Sequence, residues 1–227
     1  MRENRDGHPL NSPRPRWLDM DELGRLIPEI AKEEFAVAAA VLLIILTPIR
    51  IGDLLKLDRD SLRLGSTPHV LPSTLHPALN RAVPIGPTAR ALIEEQNARV
   101  PPGDRFLFPA RHRSDGPMAV RSARRGLKAA AATARLEGVT FLDLRRTFAI
   151  QLYRQGVSDC VVRKLLGRAY EGPLKWRWLW SVHSPAGWAA LEQWEAALLG
   201  SSSIATAMAA LLGDGRSALV PPRLGLS

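Results

Sequence analysis

Positively charged side chains are the residues of this sequence best placed to do chemistry, because they are concentrated in one stretch. Between Arg105 and Arg177 there are sixteen Lys and Arg residues against five Asp and Glu, a net charge of +11 within a chain that carries +9 overall. A surplus of this kind favours a polyanionic partner, and nucleic acid is the first to consider. The alternative is a generally arginine-rich protein with no such partner, and the uneven distribution of the charge counts against it.

Other reactive side chains give weaker signals. Cys160 is the only cysteine, which excludes a disulfide framework and a cysteine-based zinc site and fits a reducing compartment, so the cytoplasm is the expected location. The surrounding sequence VSDCVVRKLLG predicts an amphipathic helix in which this thiol packs rather than reacts. His112 and His183 lie in loop-like sequence at a spacing that supports no metal site. Neither a metal nor another cofactor is expected.

Helical patterns dominate the elements that would position the charged residues. Residues 35–49 are apolar on nearly all sides and predict a central buried helix interrupted at Pro48. This segment is shorter than the roughly 20 residues that span a bilayer, and no membrane association is expected. Residues 60–85 have short apolar runs and several prolines, which predict two or three short strands around Leu62, Val70 and Val83.

These patterns predict an α+β fold that is mainly helical, with one small antiparallel sheet. Residues 1–16, rich in Pro, Asn and Arg, are expected to form a disordered arm. Residues 17–200 are expected to form one domain, followed at 201–227 by a C-terminal helix and a tail. The segment SIATAMAALLG within that last part either docks on a neighbouring molecule or folds back onto its own domain.

Two distant motifs carry a resemblance to a known family. The first, LTPIRIGDLLKLDRDSL at residues 46–62, resembles a signature in which a helix ends at Thr-Gly-x-Arg and resumes with a small residue, an acid and Leu-Leu. The second, TFLDLRRTFAIQLYRQGVSDCVVRKLLGRA at residues 140–169, resembles a His-x-x-Arg box followed by a helix, a Gly turn and a Leu-Gly-His box. The intervening segments RAVPIGPTARALI and FLFPARHRSDGP also match. In order and spacing, residues 17–195 resemble the catalytic domain of the tyrosine recombinases, the phage integrase family.

The resemblance implies a definite chemistry. In this family a tyrosine attacks a DNA phosphodiester, forms a covalent 3′-phosphotyrosyl link and releases a 5′-hydroxyl. Two arginines hold the non-bridging phosphate oxygens and stabilise the transition state. A lysine on a β-hairpin protonates the leaving oxygen, and a histidine assists the proton transfer. Double-stranded DNA is therefore the implied partner, DNA recombination and DNA integration are the implied processes, and no metal is required.

The family positions are only partly kept in this chain. Arg50 and Arg145 match the two arginines, whereas Leu142 and Arg168 stand where the family has histidines. The nucleophile position best matches Trp178. The chain has no lysine between positions 56 and 128, so the hairpin lysine is absent, and the nearby residues His76 and Arg81 are not convincing substitutes.

Two tyrosines remain as candidate nucleophiles. Tyr153 lies in the middle of a predicted helix and is expected to be a packing residue, while Tyr170 follows the Leu-Gly-Arg box too closely to match the family spacing. The alternative for Arg50 and Arg145 is a surface ion pair, with Asp53 or Asp143 as partner. The charge and the resemblance together assign DNA binding to six arginines: Arg50, Arg124, Arg125, Arg145, Arg146 and Arg168.

The sequence therefore predicts a DNA-binding recombinase homologue that is catalytically inactive, a pseudoenzyme. Its expected role is accessory: it modulates an active recombinase at a mobile element, either by forming a mixed complex with that enzyme or by occupying its DNA sites. The expected protein partner, bound through the C-terminal helix, is that recombinase or a second copy of this chain. One alternative is a divergent active recombinase that uses Tyr170 or a residue from a partner. The other is a decayed integrase fragment, because 16 residues are too few for the helical core-binding domain that usually precedes the catalytic domain in this family.

We expect that the protein forms no covalent DNA complex and that Trp178→Tyr alone does not create one. Indole has no oxygen to attack phosphorus, and a restored phenol with a pKa of about 10 still needs help to lose its proton. Leu142 has no titratable group, the guanidinium of Arg168 is a poor acid, and each missing acid or base is worth about 10²–10⁴ in rate. A nicked suicide duplex followed by a denaturing gel measures this. A shifted band from Trp178→Tyr alone would show that the missing general acid and general base had been assigned to the wrong positions.

Overall fold

The computed structural model describes residues 16–62, 70–72, 82–111, 116–166 and 185–213. It confirms the mainly helical α+β fold. The first elements are helices α1 (Met20–Ala31), α2 (Phe35–Leu46) and α3 (Ile51–Leu54), a 3-10 turn (Arg59–Ser61) and strands β1 (Val70–Pro72) and β2 (Ala82–Pro84). Helices α4 (Pro87–Arg99), α5 (Val120–Thr133), α6 (Phe141–Arg154), α7 (Asp159–Leu165), α8 (Pro185–Leu199) and α9 (Ser202–Leu212) follow.

Helix α2 is the centre of the core. Every residue from position 37 to position 46 is buried, and the helix packs against α1, α4, α5, α6 and α8. An all-round apolar helix is stable in water only when other elements cover each of its sides, so this observation confirms the predicted central helix. Among the described helices none is by itself long and apolar enough to cross a membrane, and α8 and α9 reach that length only as a pair bent by 101°.

The sheet in the described part of the chain is one antiparallel pair. Val70 pairs with Pro84 and Pro72 with Ala82, so each strand carries a proline that limits its length. Leu62, where a third strand was predicted, ends the 3-10 turn and is not itself part of a strand. The carboxylate of Asp58 accepts from the Asp60 backbone N–H, and the Ser61 hydroxyl donates to the Asp58 carbonyl, so local polar bonds close the turn.

The C-terminal helix α9 folds back onto α1 of the same chain. Ile204 and Met208 are buried in the common core, and the Ser203 hydroxyl donates to the Gly24 carbonyl at 3.2 Å. The structure thus shows the second of the two arrangements considered for this helix. The boundary at residue 200 stays a prediction, and residues 1–15 lie outside the described residues.

The N-terminus of α4 is capped from a distant helix. The carboxylate of Glu195 on α8, only 2% exposed, accepts from the backbone N–H groups of Thr88 at 2.8 Å and Ala89 at 3.1 Å. Gly86, the N-cap residue, makes room for it, since a Cβ there would lie 2.4 Å from a carboxylate oxygen. Burial raises the pKa of Glu195 above its usual value, and the two N–H groups, which lower it, do not offset this.

The capping carboxyl predicts a pH dependence of stability. Because its pKa is raised, the folded chain binds the proton more tightly than the unfolded chain does. Its favourable contribution is complete below the ordinary value of 4.5 and is lost as the pH rises through the folded-state pKa. As the pH rises above 4.5, we therefore expect the free energy of unfolding of the parent to fall relative to that of Glu195→Gln.

Urea unfolding at a series of pH values measures this difference. Glu137→Gln, an exposed change outside α8, controls for the loss of one negative charge and should run parallel to the parent. Parallel curves for Glu195→Gln and the parent would contradict the prediction.

Candidate nucleic-acid interface

Arg50 is held by a fixed backbone and has an exposed side chain. It occupies the N-cap position of α3, and its carbonyl accepts from the backbone N–H groups of Asp53 and Leu54, both at 2.9 Å. The two preceding residues, Pro48 and Ile49, are buried, which anchors the turn from the inside. Within the described ranges no hydrogen bond or ion pair of the Arg50 guanidinium is found, so the alternative of an ion pair with Asp53 is not what the structure shows.

Arg145 lies half-buried on α6 and bridges two segments. Its Nη1 donates to the Pro48 carbonyl, and its Nη2 donates to the Leu166 carbonyl at 2.5 Å. The first acceptor lies two residues before Arg50, and the second is the residue that ends α7. The structure therefore brings Arg145 to the turn that carries Arg50.

Asp143, the alternative partner for Arg145, binds elsewhere. Its carboxylate accepts from the backbone N–H and hydroxyl of Thr140 at 3.0 and 2.6 Å, and so completes the capping box of α6. It also accepts from Arg146 Nη1 at 3.1 Å. One nitrogen of Arg146, which was assigned to DNA binding, is thus paired within α6.

Leu142 lies on the first turn of α6 and is 55% exposed, the most exposed of the large hydrophobic side chains in the described part of the chain. It precedes Arg145 by three residues, a spacing that places both side chains on one face of the helix. A single exposed leucine is ordinary on a protein surface, and its side chain supplies no proton donor or acceptor. The side chain of Leu142 is therefore open to solvent and chemically inert.

Helix α5 presents a row of cations to solvent. Arg124 and Arg125 are exposed, as are Arg121 and Lys128, and the helix contains no acidic residue. Its other face, which includes Leu127, packs against α1 and α2. In the part of the chain that the structure describes, these four cations have no ion-pair partner, so the helix carries a concentrated positive surface.

Several predicted site residues lie outside the described residues: Arg168, Trp178, Tyr170, His76 and Arg81. Tyr153 was predicted to be a packing residue, and that prediction is wrong. It is 42% exposed and its hydroxyl donates to Asp159 at 2.6 Å, because Phe148 and Leu152 point the buried face of α6 in another direction. Cys160 lies half-buried in α7, the helix that was predicted for this segment.

Sequence reasoning missed the partners of Arg145. Both acceptors are main-chain carbonyls, which every residue has, so no residue type announces them. The only available signal was the placement of Pro48 at the end of an apolar helix, where a carbonyl without an intrahelical partner is expected.

Comparison with known proteins bears on the family and the fold of this chain. The family model described as the phage integrase family matches residues 16–170. A solved structure, the crystal structure of XerA recombinase, superposes with a TM-score of 0.59 at 22% sequence identity, over 75% of this chain and 61% of that one. The chain thus spans about three-fifths of that structure, and the likeness concerns the fold. Among curated proteins no match is found.

The exposure of Leu142 predicts that a histidine is tolerated at this position. Leu142→His should change the free energy of unfolding by no more than about 0.5 kcal/mol, as expected for an exposed site. Leu144→His, two residues along at a site only 1% exposed, should destabilise the protein by about 2 kcal/mol or more, because it places a polar ring in the core. Urea denaturation of both variants measures the contrast. Equal losses would show that Leu142 packs as a core residue.

Proposed function

Since this chain belongs to the phage integrase family, we propose that it is a recombinase homologue that binds double-stranded DNA without cutting it. The observation that carries the proposal is the contrast on one helix face: Arg145 is kept, and Leu142, beside it, is exposed and has no proton to exchange. Arg168 and Trp178 continue this contrast at the other replaced positions. The groups that bind phosphate are thus retained, whereas those that move protons or attack phosphorus are replaced.

The proposed DNA contacts are electrostatic. Arg50 projects from a rigid turn into solvent, and the exposed cations of α5, including Arg124 and Arg125, add a second group of positive charge. Arg145, Arg146 and Arg168 complete the proposed set. Guanidinium groups suit phosphate oxygens because their planar fork donates two parallel hydrogen bonds. Such contacts position a protein on the duplex and carry little sequence information.

The proposed role is accessory to an active recombinase of a mobile element. A homologue that binds the same DNA without cleaving it reduces recombination by occupying sites, or changes it by entering a mixed complex. The competing proposal, a divergent active enzyme that uses Tyr170 or a residue from a partner, makes the opposite prediction for covalent trapping.

Trapping on a nicked suicide duplex separates the two proposals. The parent protein alone, and the parent mixed with an active family member, should leave no covalent adduct of this chain on a denaturing gel. A shifted band that contains this chain would overturn the inactive assignment. A decayed fragment would show no saturable DNA binding and no cooperative unfolding, so the same preparation also tests the remaining alternative.

DNA binding itself should weaken steeply with salt, because each neutralised phosphate releases counterions. We expect a sequence-tolerant affinity in the micromolar range or weaker, about 10⁻⁴–10⁻⁶ M near physiological salt. Replacing Arg124 and Arg125 together by Ser should reduce the slope of log K against log salt by about 1.8 if each contacts one phosphate. Fluorescence anisotropy with a labelled duplex provides the measurement.

Lys32→Ala is the matched control for that experiment. Lys32 is exposed, paired with Glu29 at 2.7 Å and outside the cationic stretch, so its loss removes one charge without touching the proposed interface. The control should retain the parent slope. A fall in slope for the control of about half that of the double variant, in proportion to the one charge removed against two, would show that only net charge matters. No binding at low salt would contradict the proposal.

A further inference from the structure

Helix α5 ends in a turn whose backbone favours glycine, and the residue at that position is Arg135. Two hydrogen bonds close the helix: the Leu136 N–H donates to the Ala131 carbonyl at 2.8 Å, and the Arg135 N–H donates to the Ala132 carbonyl at 3.1 Å. This pair of bonds requires a left-handed residue just after the helix, a place that glycine usually takes. Arg135 has a φ of +58°, the one positive value of a non-glycine residue within the described ranges.

The left-handed turn cannot relax without disturbing the core. Leu136, which follows it, is 4% exposed and belongs to the hydrophobic core, and Ala134 before it is also buried. In this region of backbone conformation the Cβ atom crowds the following carbonyl oxygen, which destabilises every residue except glycine and, to a lesser degree, asparagine. An arginine here therefore lowers the stability of the fold relative to glycine.

Other arginines already serve this helix end. Arg25 Nη1 donates to the Ala134 carbonyl at 3.4 Å, and Arg16 Nη1 donates to the Glu137 carbonyl. Cations are favoured near a helix C-terminus, and these two supply hydrogen bonds as well as charge. The Arg135 side chain is exposed, and in the part of the chain that the structure describes it has no hydrogen-bond, ion-pair or aromatic partner. No contact within the fold thus accounts for an arginine at this turn.

The charge of Arg135 continues the cationic surface of α5. Arg121, Arg125 and Lys128 follow one another at intervals of four and three residues, which places them on one face of the helix. Arg135 comes about two turns after Lys128, so at about 1.5 Å per residue the row is roughly 20 Å long. A DNA strand carries one phosphate per about 3.4 Å of helix axis, and a row of this length can meet several of them.

We propose that Arg135 is a further DNA-binding residue: it contacts a backbone phosphate and extends the cationic surface past the end of α5, from a backbone position that suits glycine. The inference rests on the DNA-binding function proposed above. It goes beyond that function because it adds a residue to the interface and predicts that one substitution weakens DNA binding without lowering stability. Phosphate is the fitting partner because the planar guanidinium donates two parallel hydrogen bonds to its oxygens.

Arg135→Gly separates binding from folding. Duplex affinity is measured by fluorescence anisotropy at several salt concentrations for the parent, Arg135→Gly, Arg135→Lys and Lys32→Ala. Loss of one phosphate contact should weaken binding about fivefold and lower the slope of log K against log salt by about 0.9. Arg135→Lys keeps the charge and should retain the parent slope. Lys32→Ala removes an exposed charge that is paired with Glu29, and it should also retain that slope.

Thermal unfolding in the absence of DNA gives the second measurement. Arg135→Gly relieves the strained turn and should unfold at a temperature no lower than that of the parent. Arg135→Ala removes the same charge but keeps a Cβ atom, so it should unfold about 2–4 °C below the glycine variant. Arg135→Asn, whose side chain tolerates the left-handed turn, is a second uncharged variant and should bind DNA as weakly as Arg135→Gly.

Three results would overturn the inference. A parent-like salt slope for Arg135→Gly and Arg135→Asn would show that Arg135 contacts no phosphate, and an equal fall for Lys32→Ala would show that only net charge matters. Unfolding of Arg135→Gly below the parent temperature would show that the arginine serves the helix end. A parent protein that does not bind DNA would instead overturn the proposed function. If the Arg124 and Arg125 double variant loses slope while Arg135→Gly does not, only the Arg135 contact is rejected.

Discussion

The buried C-terminal end of α2 is the constraint on which the rest of the structure depends. An all-apolar helix leaves its last carbonyls inside the protein, where water cannot satisfy them. The backbone N–H and the hydroxyl of Thr47 both donate to the Leu43 carbonyl, at 2.9 and 2.5 Å. Trp194 Nε1 donates to the Ile45 carbonyl at 3.0 Å, and Arg145 donates to that of Pro48. The donors come from three parts of the chain, so satisfying this one helix end fixes α6 and α8 around it.

Helix α8 links two helix ends through neighbouring residues. Trp194 donates at the end of α2, and Glu195, the next residue, accepts at the beginning of α4. The indole also packs edge-to-face on Phe148 of α6, with ring centroids 6.3 Å apart. Buried N–H groups that lose their capping carboxylate cost the fold about 1–3 kcal/mol. Helix α8 therefore contributes polar bonds as well as apolar area to the core.

The same constraint shapes the candidate interface. The turn between α2 and α3 is buried at Pro48 and Ile49 and reaches the surface at Arg50, whose side chain is exposed. One proposed phosphate-binding group thus stands on a buried support, and the other, Arg145, is part of that support. Beside them the exposed Leu142 adds no chemistry, which is why binding and cleavage separate in the proposed function.

The sequence alone determined the features that follow from residue type and local period. The all-round apolar segment predicted the central place of α2, the clustered cations indicated the proposed partner, and motif spacing singled out Arg50, Arg145 and Leu142. Two predictions were wrong at this level. Hydrogen bonds around Asp58 form a 3-10 turn that ends at Leu62, where a strand was predicted, and the orientation of α6 leaves Tyr153 exposed.

Only the tertiary structure decided what the key polar groups bind. Arg145 reaches a carbonyl 97 residues away, and Glu195 caps N–H groups 106 and 107 residues away. Main-chain acceptors and donors are the same at nearly every residue, so no pattern of side chains identifies which of them a distant arginine or glutamate will meet. Packing around a buried helix end brings these donors and acceptors together, so their pairing is decided only when the whole chain has folded.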